Sequence, residues 1–111
     1  MRGRQQVSND KVDELIVYLT PYIRSLLPRV EADEFTTTQF IEVMHQDPAT
    51  EQAYQQALKD WGETPHQSKM VIHGQVIPAA MRASDMVEWI GFAHEENDPW
   101  AVPAWWRLKT D

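Results

Sequence analysis

Two bulky, strand-like runs close to the C-terminus constrain this chain more than any other feature. Met86-Val87-Glu88-Trp89-Ile90-Gly91-Phe92 and Val102-Pro103-Ala104-Trp105-Trp106-Arg107-Leu108 flank a polar tip, His94-Glu95-Glu96-Asn97-Asp98-Pro99. Two apolar runs separated by turn residues predict an antiparallel hairpin, and aromatic side chains paired across its strands hold such a ribbon onto helices beneath it. The stretch from Ile77 to Arg107 contains Trp89, Trp100, Trp105 and Trp106, four of the five tryptophans. It opens with a short helix, Ile77 to Ala83, and a turn at Ser84-Asp85.

Most of the remainder up to Gly62 reads as helical. Val12, Leu15, Ile16, Leu19, Ile23, Leu26 and Leu27 keep the 3,4 spacing of an amphipathic helix. Pro21 falls inside it and predicts a kink, or a restart with Thr20 as cap; Pro28 and the acidic Glu31-Ala32-Asp33-Glu34 end it. Thr36, with Gln39 three residues on, forms a capping box, and Phe35 and Phe40 stand where a hydrophobic staple needs them. A helix is therefore predicted from Thr36 to about His45. Asp47-Pro48 stops it and starts the next, which runs from Pro48 to Trp61 and closes at Gly62.

That third helix has two faces. Ala53, Tyr54, Ala57, Leu58 and Trp61 make a buried stripe, whereas Gln52, Gln55, Gln56 and Lys59 recur on the opposite side. A Gln-rich face suits plain solvation as well as recognition, because Gln is a good neutral helix former. Glu63 to Gln67 reads as a loop, and Lys69-Met70-Val71-Ile72-His73 as a short extended segment ending at Gly74. Residues 1–9 read as a flexible basic arm carrying Arg2 and Arg4.

At 111 residues one domain is expected, made of a helical part over 10–62 and a part over 68–110 with the extended segment, short helix and hairpin. Hydrophobic residues at 42% and charged residues at 24% fit an ordinary globular chain. No run is apolar enough to span a membrane and no signal-peptide core follows the N-terminus, so a cytoplasmic protein is expected. With no cysteine, disulfides and thiolate chemistry are excluded.

Candidate chemistry is sparse. His45, His66, His73 and His94 lack metal-ligand spacing, and the acidic tip lacks the spacing and glycine of a calcium loop, so no metal and no cofactor is expected. Asp13-Glu14 and Asp33-Glu34 have no nucleophile beside them, and Ser84 is not in a nucleophile elbow. We therefore expect a protein that is not an enzyme.

The order of helix, capped helix, short turn, helix, extended segment, short helix and aromatic hairpin resembles the winged helix-turn-helix superfamily, over roughly Phe35 to Leu108. The resemblance implies an α+β, mostly helical fold with a winged-helix-like three-helix core and a C-terminal β-hairpin. The extra short helix before the hairpin departs from the simplest pattern. Carried over by position, Pro48 to Trp61 would be the recognition helix, with Gln52, Gln55, Gln56 and Lys59 as its outward side chains. Lys69 and Arg82, with Arg2 and Arg4, are the cations that would support contact with nucleic acid.

Ten Lys plus Arg against seventeen Asp plus Glu give a net charge of -7, which repels phosphate, and Glu95, Glu96 and Asp98 make the expected wing tip acidic. The alternative is an acidic protein–protein adaptor, even an imitation of DNA. Trp105 and Trp106 must face opposite sides of a strand. Trp100 and Trp106 are the expected anchors for a protein partner or a second copy in a homodimer.

Overall fold

The computed structural model describes residues 7–62, 64–93, 101 and 103–109. The fold is α+β and mostly helical. Helix α1 spans Val7–Leu26 and ends in a 3₁₀ turn, Leu27–Arg29; strand β1 (Glu34–Thr36) leads into α2 (Thr37–Gln46) and α3 (Pro48–Trp61). Then come α4 (Pro65–Val71), a π-turn (Ile72–Val76), α5 (Ile77–Ala83), and the strands β2 (Val87–Phe92) and β3 (Ala104–Leu108).

Helix α1 runs on through Pro21. The missing N–H leaves the Val17 carbonyl without a helical donor, which solvent can supply because Val17 is exposed. One residue earlier the Thr20 hydroxyl donates to the Ile16 carbonyl over 2.6 Å. On the inner side Leu15, Leu19, Ile23 and Leu26 are buried, and this stripe packs against α3 and α5. The guanidinium of Arg24 donates to the Ser84 carbonyl, tying α1 to the end of α5.

The capping box at α2 forms as the spacing predicts: Thr36 Oγ1 accepts from the Gln39 amide (3.1 Å) and Gln39 Oε1 accepts from the Thr36 amide (3.0 Å). The staple residues Phe35 and Phe40 stack with ring centroids 5.9 Å apart. Asp47 alone joins α2 to α3, and its carboxylate caps α3 by accepting from the Thr50 amide (3.0 Å) and hydroxyl (2.6 Å). Gly62 closes α3 at φ 85°, in the left-handed region.

The expected hairpin is present, with β2 and β3 antiparallel and the turn at Ser84-Asp85 in place, Asp85 at φ 59°. The sheet has a third member. Strand β1 pairs antiparallel with the far side of β3, giving the order β1-β3-β2 and leaving β2 at an edge. Between Trp89 and Gly91 the ladder slips by one residue, a bulge at Ile90. Phe35, Val87, Ala104 and Trp106 line the buried face of this sheet against the helices.

Residues 7–9, expected in the arm, already belong to α1, and two further expectations fail. Lys69 to His73 is not extended: it belongs to α4 and the π-turn, and residues 65–83 are helical throughout. Thr64 provides the cap that starts this helix, accepting from the Gln67 amide over 3.2 Å, so the expected loop is only part loop. Pro78 accounts for the wide turn. It has no N–H for the Gly74 carbonyl, and the Ile77 amide reaches back five residues to Ile72 instead of four.

Trp106 is the second correction. Expected as an exposed anchor, it is wholly buried; Trp105, on the other side of β3, is the half-buried one. Strand β3 is central, so the inward tryptophan is covered by helices and by its neighbours on both flanks.

Candidate functional site

Helix α3 presents its two faces as the 3.6-residue period requires. Ala53, Tyr54 and Ala57 are buried, while Gln52, Gln55, Gln56 and Lys59 are exposed. Those four do not stand on a free ridge. With Ala49, Ala53 and the α1 residues Tyr18 and Tyr22 they line a cleft of about 390 Å³ between α3 and α1. A cleft of this size falls at the lower end of the range for small-ligand sites, about 300–1,000 Å³.

The tyrosines are one turn apart on α1, so their rings meet, with centroids 5.8 Å apart and planes tilted by 59°. Burial first, then the neighbouring Tyr22 hydroxyl through its charge and a hydrogen bond, then the Asp60 carboxylate raise the Tyr18 hydroxyl above its ordinary pKa. Opposite, Gln55 Nε2 donates to Glu51 Oε2 and Gln56 Nε2 to Asp60 Oδ1, each over 2.8 Å. A carboxylate only accepts, so these contacts decide which end of each amide is the donor. Lys59 forms no ion pair among the described residues.

The remaining residues expected at a nucleic-acid face lie elsewhere. Lys69 is half-buried on α4, and Arg82 on α5 holds its guanidinium 5.7 Å above the Trp106 ring, a cation–π contact. Neither lines the cleft. Of the expected partner anchors, Trp106 is in the core, and Trp100, like Arg2, Arg4 and the acidic tip His94 to Pro99, lies outside the described residues. Among the described residues Trp89 (49%) and Phe92 (68%) are exposed on edge strand β2, ring centroids 5.5 Å apart in an edge-to-face pair.

His45 and His73 make structural contacts. Buried His73, in the π-turn, shares a 2.6 Å hydrogen bond with the Tyr54 hydroxyl; His45 Nδ1 lies 2.5 Å from Glu51 Oε1 and its ring meets Tyr54 edge-on. Among the described residues no group of three or more His, Asp or Glu is placed to hold a metal ion, and no helix is long and apolar enough to cross a membrane. Sequence reasoning reached the α3 half of the cleft. It missed Tyr18 and Tyr22, whose i, i+4 spacing on the outer side of α1 was the available signal. Comparison with protein-family models, with curated proteins and with solved structures finds no match to this chain.

Proposed function

We propose that this chain is a non-enzymatic, winged-helix-like domain that attaches to nucleic acid in a regulatory or accessory role. What carries the reading is the cleft, where three amide side chains, an ammonium in no ion pair among the described residues and two aromatic rings meet on one surface. Amides offer a donor and an acceptor together to base edges, ammonium meets phosphate, and aromatic rings stack on bases. The helix pair joined through Asp47 and backed by an antiparallel hairpin supports the winged-helix part of the proposal.

Titration of labelled oligonucleotides, duplex and single-stranded, at about 50 mM salt tests it. Binding that falls when Gln55→Ala and Lys59→Ala are combined is the expected result. Binding to neither form, or binding untouched by the double substitution, removes the proposal.

Trp89 and Phe92 favour a second reading, an acidic adaptor for a basic protein. Exposed aromatics on an edge strand offer anchors and unpaired backbone groups, and the charge of -7 favours a cationic partner. Calorimetric titration with an extended Lys/Arg-rich peptide should show binding that Trp89→Ala abolishes; equal affinity in that variant counts against it.

A further inference from the structure

We infer that the cleft between α1 and α3 takes an unpaired nucleobase from a single strand, and does not read the groove of a duplex. The inference rests on the nucleic-acid reading above and narrows its substrate.

Shape is the first argument. A helix that reads a duplex must enter a major groove about 12 Å wide, so its recognition residues have to protrude. Here Gln52, Gln55 and Gln56 line a concave surface walled on one side by α1, with Tyr18 and Tyr22 on that wall. A groove cannot close over a surface that is itself hollow. A single base, turned out of its strand, can enter it.

Stacking is the second. In a duplex both faces of every base are covered by its neighbours, so an aromatic side chain beside a recognition surface has nothing to stack on until a base is unpaired. The tyrosine rings are tilted by 59° and do not lie flat on one another, which leaves ring surface for a third planar group, and Tyr18 is 36% exposed. Across the cleft the amides of Gln55 and Gln56 are braced by Glu51 and Asp60. These groups suit a Watson–Crick edge, which only an unpaired base exposes.

Charge is the third. Duplex-binding proteins rely on several phosphate contacts, whereas among the described residues this cleft has one cation, Lys59, on a chain of net charge -7. Affinity that comes mainly from stacking tolerates that balance.

Fluorescence anisotropy with the full chain, a labelled mixed-sequence strand of about 12 nucleotides and its blunt duplex decides the matter. Single strand should bind about tenfold or more tighter than duplex. Tyr18→Ala should weaken it by roughly five- to 150-fold, the range of one lost base–aromatic stack, and Tyr18→Phe should leave it nearly intact. The logarithmic salt slope should be near about -0.7, one phosphate contact. Circular dichroism on each variant checks folding, and Gln52→Ala, an exposed site, gives a second reading of the cleft.

Duplex bound as tightly as single strand overturns the inference while the nucleic-acid reading stands. So does single-strand binding that Tyr18→Ala and Gln52→Ala both leave within about twofold. If neither form binds, or only an arginine-rich peptide binds with dependence on Tyr18, both readings fall together.

Discussion

The indole N–H of Trp106 donates to the hydroxyl of Thr37 over 2.8 Å, and both side chains are fully buried. The bond fastens the central strand β3 to the first residue of α2, across 69 residues of chain. Removing either partner strands a polar group in the core. Trp106→Phe and Thr37→Val should each cost about 1–3 kcal/mol, and Trp106→Ala about 3–5 kcal/mol because a cavity is added. Denaturant unfolding measures all three, and a Trp106→Phe, Thr37→Val double variant costing less than the sum would confirm the coupling.

The capping box should be worth a measurable part of the stability. Thr36→Ala removes the acceptor for the Gln39 amide and is expected to cost about 0.5–2 kcal/mol in urea melts. Thr36→Ser, which keeps the oxygen, should recover most of the loss.

Asp47 predicts a pH dependence. The Thr50 hydroxyl, then Arg29 at 2.7 Å, then the Thr50 amide hold its carboxylate down at about 2, from an ordinary 3.8. A pKa depressed by folding contributes stability that is complete above the unfolded value and lost as pH falls through the folded one. Stability should therefore decline between about pH 4 and pH 2, and Asp47→Asn should flatten that limb of the curve. Thermal melts over this range test it; an unchanged acid limb would contradict the capping role.

Gly62 closes α3 at φ 85° with no atom nearer than 3.9 Å to an added Cβ, so only the backbone objects to a side chain there. Gly62→Ala should cost about 1–2 kcal/mol, and Gly62→Asn less, because Asn tolerates this conformation.

What could be read from the sequence was local. The cap at Thr36, the Asp47-Pro48 junction, the Gly62 stop, the Ile77–Ala83 helix and the two hairpin strands each announce themselves within a few residues, and all are present. Strand β1 is three residues long, too short to show alternation, and it exists because β3 offers it an edge. The run Lys69 to His73, with β-branched Val71 and Ile72, suits strand and buried helix alike. The deciding signal is Thr64-Pro65-His66-Gln67, a second cap with Gln at the third helical position. For the site, the Gln face of α3 followed from periodicity. Its meeting with Tyr18 and Tyr22 depends on how α1 packs, which no window of sequence contains. Nor could alternation say which of Trp105 and Trp106 points inward, since that depends on where the helices lie.

The π-turn at Ile72–Val76 makes the number of residues between Thr64 and Ser84 as important as their chemistry. Winding these same residues at four-residue spacing would be a one-residue error that swings α4 about 100° around its axis relative to α5, carrying buried Ser68 toward water. His73, bonded to Tyr54, sits at that joint, so the same one-residue error would reach the rear of α3. The two short helices behave as a single rod rejoined out of phase, and the offset sets which side of each one meets the core.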